Sequence, residues 1–386
     1  MPQNVYNGNV AINDGSKYSQ GANTIVHFYD RAGVKAANRV NVYQQFADKK
    51  SMPKKMGKTF KISKFLHMYD RSLNDAEFSE KGFLTARTVA DVSTALTNAA
   101  LPEGAGPMNK RTLQKVTMET SLARYGEMID YTDEVELFSE DAIQVRYREE
   151  LGELANSRME DLIQLDLLST PTVMYGGSAT NMGEVDEDST VSYDLIRKGV
   201  RKLVRNRAQK NTQMVTGDVK VDTRTLAKAY YAIIGANVKG DLETLTRGTI
   251  ADNGTTEYVY IPAHKYGSAA TLAEGEVGAM HEVRFIESES AVVYAGQGAD
   301  STGHTGTLSQ TGGKFDVFPI LFPTQGAFAT VGLKGKDKIK FHSSSPEKIE
   351  KINPYGTQGF FSYNFFYAGI ILEEEKLLKM LVSASA

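Results

Sequence analysis

Two stretches of the chain alternate strictly between apolar and polar residues. In TFKISKFLHMY, Phe60, Ile62, Leu66 and Met68 share one face, interrupted by Lys64; Lys61, Ser63 and His67 share the other, with Phe65 and Tyr69. In LQKVTMETSLARYG, Val116, Met118, Thr120 and Leu122 oppose Lys115, Thr117 and Glu119. A period of two is the signature of a strand. The two stretches are expected to pair as a long antiparallel ribbon, and the segment between them ends in the turn-rich LPEGAGP. A lone two-stranded ribbon is marginal in water, so this one is expected to lie on something else.

The period then changes. From Ser139, a good N-cap followed by Glu140 and Asp141, no proline intervenes until Pro171. Ile143, Tyr147, Leu151, Leu154, Leu162 and Leu165 recur at helical spacing. About 30 residues at about 1.5 Å each predict a rod of roughly 45 Å. A second helix is expected in SYDLIRKGVRKLVRNRAQK. Its apolar face is Leu195, Ile196, Val200, Leu203 and Val204, and Arg197, Lys198, Arg201, Lys202, Arg205 and Arg207 crowd the rest. A third helical pattern runs from Tyr29 to Asp48 through Val34, Val40, Val42, Tyr43 and Phe46, until Pro53 and Gly57 break it. Ahead of it lies an Asn-, Gly- and Ser-rich arm. DAEFSEKGFLTARTVADVSTAL, inside the segment Arg71 to Ala100, looks partly helical. A Gly-rich loop spans Gly296 to Gly313, the end of the chain is strand-rich, and no internal repeat is visible. The fold class is therefore mixed, α+β.

Composition narrows the function more than it defines it. The 386 residues suffice for a sizeable core, with 41% hydrophobic and 24% charged residues. A net charge of −3 argues against bulk attraction to nucleic acid or to an acidic membrane. With no cysteine, disulfides and thiolate metal sites are excluded. No secretory signal and no membrane span is expected.

Candidate chemistry is sparse. Gly275 and Gly278 in GEVGAMHEVRFIES could cradle a phosphate only if a helix followed them, and the alternation of Val283 and Phe285 with charged residues predicts a strand instead. His281 has no histidine or carboxylate at metal-ligand spacing; the histidines stand at 27, 67, 264, 281, 304 and 342. No nucleophile elbow or Walker lysine motif is present. No catalytic residue, cofactor or metal is expected, and the chain reads as no enzyme. The basic helix is the best candidate for nucleic-acid contact. In a slightly acidic chain it is better read as ion-paired, with Glu149, Glu150, Glu153, Glu160 and Asp161 of the long helix available as partners.

The order of these parts resembles the major capsid protein of a tailed double-stranded DNA bacteriophage with the Hong Kong 97-type fold, and more narrowly the phage N-four-type coat protein family. FADKKSMPKKMGKTFKI, LPEGAGP, LARYGEMIDYTDEVE, GEVG with VRFIES, and NPYGTQGFFSYNFFYAGIILEEEKL carry the resemblance, in family order. It implies an N-terminal arm (1–50), an extended loop (51–130), a peripheral domain with a long spine helix (131–171), a mostly axial domain (172–335) and C-terminal strands returning to the peripheral domain (336–386). It implies a subunit that self-assembles as hexamers and pentamers into an icosahedral shell around packaged double-stranded DNA, without sequence-specific binding and with no membrane. Portal and scaffolding proteins would be partners, with a decoration protein as a further candidate. The location would be the virion, assembled in the host cytoplasm. A cellular encapsulin-like shell compartment enclosing protein cargo is the alternative. Phe60, Ile62, Val116, Met118, Arg201, Lys202 and Arg205 are the expected intersubunit contacts, with Gly275 and Gly278 as structural turns. The lysine–asparagine cross-link of some relatives is not expected, although Lys81 is a conceivable donor.

Overall fold

The structure is a computed structural model, and it describes residues 3–5, 17–19, 41–65, 88–104, 113, 115–138, 143–215, 223–249, 256–265, 272–335, 339–349 and 353–386. The arm ahead of residue 41 other than residues 3–5 and 17–19, together with Lys81, Ser139 and the expected apolar strand residues Leu66 and Met68, lies outside them. In chain order the main elements begin with β1 (Asp48–Met52), β2 (Thr59–Phe65), α1 (Val89–Ala99), β3 (Lys115–Ser121) and β4 (Ala123–Thr132). Next come α2 (Asp133–Phe138), α3 (Ile143–Leu168), β5 (Val173–Tyr175) and α4 (Tyr193–Arg205). They continue with β6 (Asn211–Val215), β7 (Thr223–Ile234), α5 (Ala236–Glu243), β8 (Ile261–Pro262), β9 (Glu276–Met280) and β10 (Val283–Glu287). The last are β11 (Phe318–Pro323), β12 (Phe328–Leu333), β13 (Lys340–Ser344), β14 (Gln358–Ile371) and β15 (Leu377–Val382).

Two sheets organise these elements. The eight-stranded sheet runs β8-β9-β10-β7-β11-β15-β5, with β6 on β7. Both its faces are covered, as alternation along β7 shows. Tyr231 and Ile233 join Ile163 and Leu167 of α3 in one core. Tyr230, Ala232 and Ile234 join Leu195, Ile196, Val200 and Leu203 of α4, and Val238 and Leu242 of α5, in the other. The five-stranded sheet runs β13-β14-β12-β1, with β4 along β14. Phe361, Tyr363, Phe365 and Tyr367, at every second position of β14, are buried with Leu151 and Ala155 of α3. The long helix thus serves both sheets.

α3 confirms the expected rod, with a shifted stripe. Its buried residues run in two rows spaced by multiples of four, Leu151, Ala155, Ile163 and Leu167 in one and Glu160, Gln164 and Leu168 in the other. Each four-residue step turns about 40° past a full revolution, so the buried face winds around the helix. Leu165, expected in the stripe, is 58% exposed as a result. At the end of the helix, the buried Lys379 of β15 donates to the Leu168 carbonyl at 2.7 Å, which places a cation at the negative pole of the helix.

Two other expectations are corrected. Only one short turn, Gln44–Phe46, replaces the described part of the helix read from Tyr29 to Asp48, because Val42, Tyr43 and Phe46 are buried by tertiary partners. The second alternating stretch breaks at the buried Leu122, whose amide donates to the Lys58 carbonyl at 2.9 Å. Beyond that break, β4 pairs with β14 rather than with β2. The strands of 336–386 lie in two sheets. β14 lies in the five-stranded sheet, while β15 sits between β11 and β5 in the eight-stranded one. β12, inside the segment 172–335, belongs to the five-stranded sheet. Between Arg71 and Ala100 the expected helical character is found in α1.

Candidate subunit-contact surfaces

The ribbon is β2 paired with β3, antiparallel, with Phe60 opposite Thr120, Ile62 opposite Met118 and Lys64 opposite Val116. Its alternation is the one read from the sequence: Phe60, Ile62, Val116 and Met118 are half-buried, and their neighbours are exposed. What covers the half-buried face is the chain itself. Phe60 and Met118 pack against Leu122 and against Met52, Ala329, Val331, Ala368 and Ile370 of the five-stranded sheet. Thr120 Oγ1 donates to the Gly369 carbonyl at 2.9 Å, and Lys64 Nζ pairs with Glu373 at 2.9 Å. An apolar face with an intrachain partner does not wait wholly for a neighbouring subunit. The outward face carries the Lys61–Glu119 ion pair at 2.7 Å and the Ser63–Thr117 hydroxyl pair at 3.1 Å.

The basic helix α4 is capped by Ser192, whose hydroxyl accepts the Leu195 amide hydrogen at 3.2 Å. Part of its charge is satisfied locally. Lys198 and Arg197 reach Asp194 at 3.1 and 4.0 Å. Lys198, with further help from Arg197 and Arg201, holds the Asp194 carboxyl below the ordinary aspartate range. Lys202 Nζ donates to the Val173 carbonyl at 3.2 Å, while Arg201 and Arg205 are exposed. Two of the long-helix acids proposed as partners have other engagements. Asp161 pairs with Arg158 at 3.8 Å, and Glu160 is buried against the segment at Tyr43.

GEVG divides its two glycines between different roles. Gly275 is a corner at φ +75°, a backbone conformation that favours glycine. Gly278 lies within β9 rather than in a turn, and a Cβ there would strike the Tyr260 ring. The turn between β9 and β10 instead holds His281 at φ +58°, exposed and edge-on to Tyr193. No helix follows the glycines, in line with the strand reading.

A polar junction missed by sequence reasoning lies beside this corner. Gln45, fully buried, donates to the Glu274 carbonyl at 3.0 Å and accepts the Glu274 amide hydrogen at 3.2 Å. The Glu160 carboxylate accepts the Tyr43 and Gln44 amide hydrogens at 2.9 and 3.3 Å. Phe46 packs on Tyr231 with ring centroids 5.0 Å apart. Residues 42–46 therefore pin the long helix to the eight-stranded sheet just before the chain enters the five-stranded sheet as β1. Among the described residues no group of metal-ligating side chains occurs, and no helix is long and apolar enough to cross a membrane.

No family model matches the chain. Over 375 residues it is 28% identical to the major capsid protein of Pseudomonas phage KPP21, covering 94% of this chain and 93% of that one. The capsid of Ralstonia phage GP4 superposes with a TM-score of 0.60 at 12% identity, covering 95% of this chain and 97% of that one. The capsid asymmetric unit of Cyanophage Pam1 gives 0.57 at 12% identity, covering 96% and 99%. The architecture is the Hong Kong 97-type fold of phage capsid proteins. Along nearly its whole length, this chain is a homologue of a phage major capsid protein.

Proposed function

We propose that the chain is a major capsid protein, copies of which associate into capsomers and close an icosahedral shell in the virion. Homology along nearly the whole chain to a phage major capsid protein carries this reading, and the capsid fold supports it. Its role is structural: the work is contact between copies, and modest contacts are multiplied by symmetry. In this reading the chain before residue 50 is the arm, the β2–β3 ribbon is the root of the extended loop, and α3 with the five-stranded sheet is the peripheral part. The eight-stranded sheet with α4 and α5 is the axial part. Hexamers and pentamers would form in the host cytoplasm with scaffolding and portal proteins, around double-stranded DNA that the wall does not bind sequence-specifically. Electron microscopy of the purified protein tests this: closed shells are expected, and a persistent monomer under assembly conditions refutes it. The content of particles from infected cells separates a virion, filled with DNA, from a cellular compartment filled with protein.

A further inference from the structure

Two complementary surfaces stand at opposite ends of β14. At its Leu372 end, a cleft of about 320 Å³ opens under the ribbon, with Ile62, Met118 and Leu372 among its apolar lining. Its rim carries Lys50, Lys64 and Lys376 against one carboxylate, Glu373, which Lys64 and Lys376 approach at 2.9 and 4.0 Å. The rim therefore keeps an excess of positive charge. At the Gln358 end stands α2, anchored where the Asp133 amide donates to the Thr357 carbonyl at 3.0 Å. Its sequence, DEVELF, combines acids with apolar residues. Leu137 and Phe138 are 72% and 83% exposed, unusual for such large apolar side chains.

The two surfaces cannot meet within one chain. β14 has 14 residues, and at about 3.3 Å per residue it holds them roughly 45 Å apart. Distinct, mutually complementary patches on one chain define a head-to-tail contact, which builds rings where the rotation closes. We propose that α2 of one copy docks in the cleft beneath the β2–β3 ribbon of the next. Leu137 and Phe138 then cover the apolar lining, and Asp133 and Glu134 meet the lysine rim. The occupant is a second copy of this chain, so the proposal rests on the shell-forming reading and specifies one of its contacts. It also gives the ribbon a second task, as the roof of a socket.

The absence of cysteine makes the contact directly testable. A Phe138→Cys, Lys376→Cys double variant is assembled into shells and treated with a short bis-maleimide. A ladder of covalent multimers on denaturing gels is expected from the double variant and from neither single variant. Intact shells without a ladder overturn the docking while leaving the shell reading in place. Failure of the wild-type chain to form any shell overturns both. Charge reversal gives a second measure. Lys50→Glu with Lys376→Glu is expected to abolish assembly, and adding Asp133→Lys with Glu134→Lys to the same chain to restore it. Loss without restoration, in subunits whose thermal midpoint is unchanged, also overturns the proposal.

Discussion

Glu160 and Tyr43, separated by 117 positions, meet where the long helix grips the chain ahead of β1, the carboxylate accepting the Tyr43 amide hydrogen at 2.9 Å. Burial pushes the Glu160 carboxyl up to about 7, outweighing the amide hydrogen bonds that favour its charge. Asp161 adds in the same direction, and the Tyr43 and Tyr367 hydroxyls nearby stay protonated. The folded chain thus holds this proton more tightly than the unfolded chain, whose glutamates titrate near 4.5. The resulting stabilisation is complete below the unfolded value. It falls as pH rises through that window and is gone above about 7, a loss of about 3 kcal/mol. Denaturant midpoints of unassembled subunits should be lower at pH 8 than at pH 5.5, and Glu160→Gln should flatten most of that slope. An unchanged slope in the variant would contradict the assignment.

The ribbon's two faces should respond differently to truncation. Phe60→Ala or Met118→Ala removes packing on the five-stranded sheet and should cost unassembled subunits about 1–2 kcal/mol, since both side chains are only part-buried. Lys61→Ala or Glu119→Ala, on the exposed face, should leave the thermal midpoint unmoved. Equal effects from both faces would mean the ribbon is not seated on its own chain.

Gly278→Ala should be destabilising out of proportion to its size. The added methyl meets the Tyr260 ring inside a buried hairpin, and overpacking of this kind costs about 1–3 kcal/mol. Calorimetry of the variant, with Gly240→Ala as the unhindered control, decides the point.

The period-two stretches made the ribbon and its faces readable, because pairing and face follow from alternation alone. The junction was not readable. DKKSM has no alternation to announce β1, and Glu160 follows Glu149, Glu150 and Glu153 along a helix, where another acid looks like solvated surface. The one available signal was position: Glu160 and Gln164 are four apart on the winding buried face, next to Met159 and Ile163. The two ends of GEVG were likewise indistinguishable in sequence. Only the approach of Tyr260 separates a glycine needed for its backbone from one needed for its missing side chain.

For the basic helix, the local pairing of Asp194 with Lys198 leaves Arg201 and Arg205 presented outward. Arg201→Glu, Lys202→Glu and Arg205→Glu together should impair shell formation in DNA-free conditions, with salt dependence reflecting screening over about 8 Å at physiological ionic strength. Normal assembly with loss only of DNA retention would favour nucleic-acid contact instead.

The seating of the ribbon on the five-stranded sheet makes it a lever arm. Anchored at Phe60, Lys64, Met118 and Thr120, it turns with the sheet beneath it. A tilt of about 10° would sweep its far end through roughly 4 Å over the roughly 23 Å length of a seven-residue strand. Rotations of the subunit body too small to disturb its core would thus be amplified into larger displacements at the ribbon's far end.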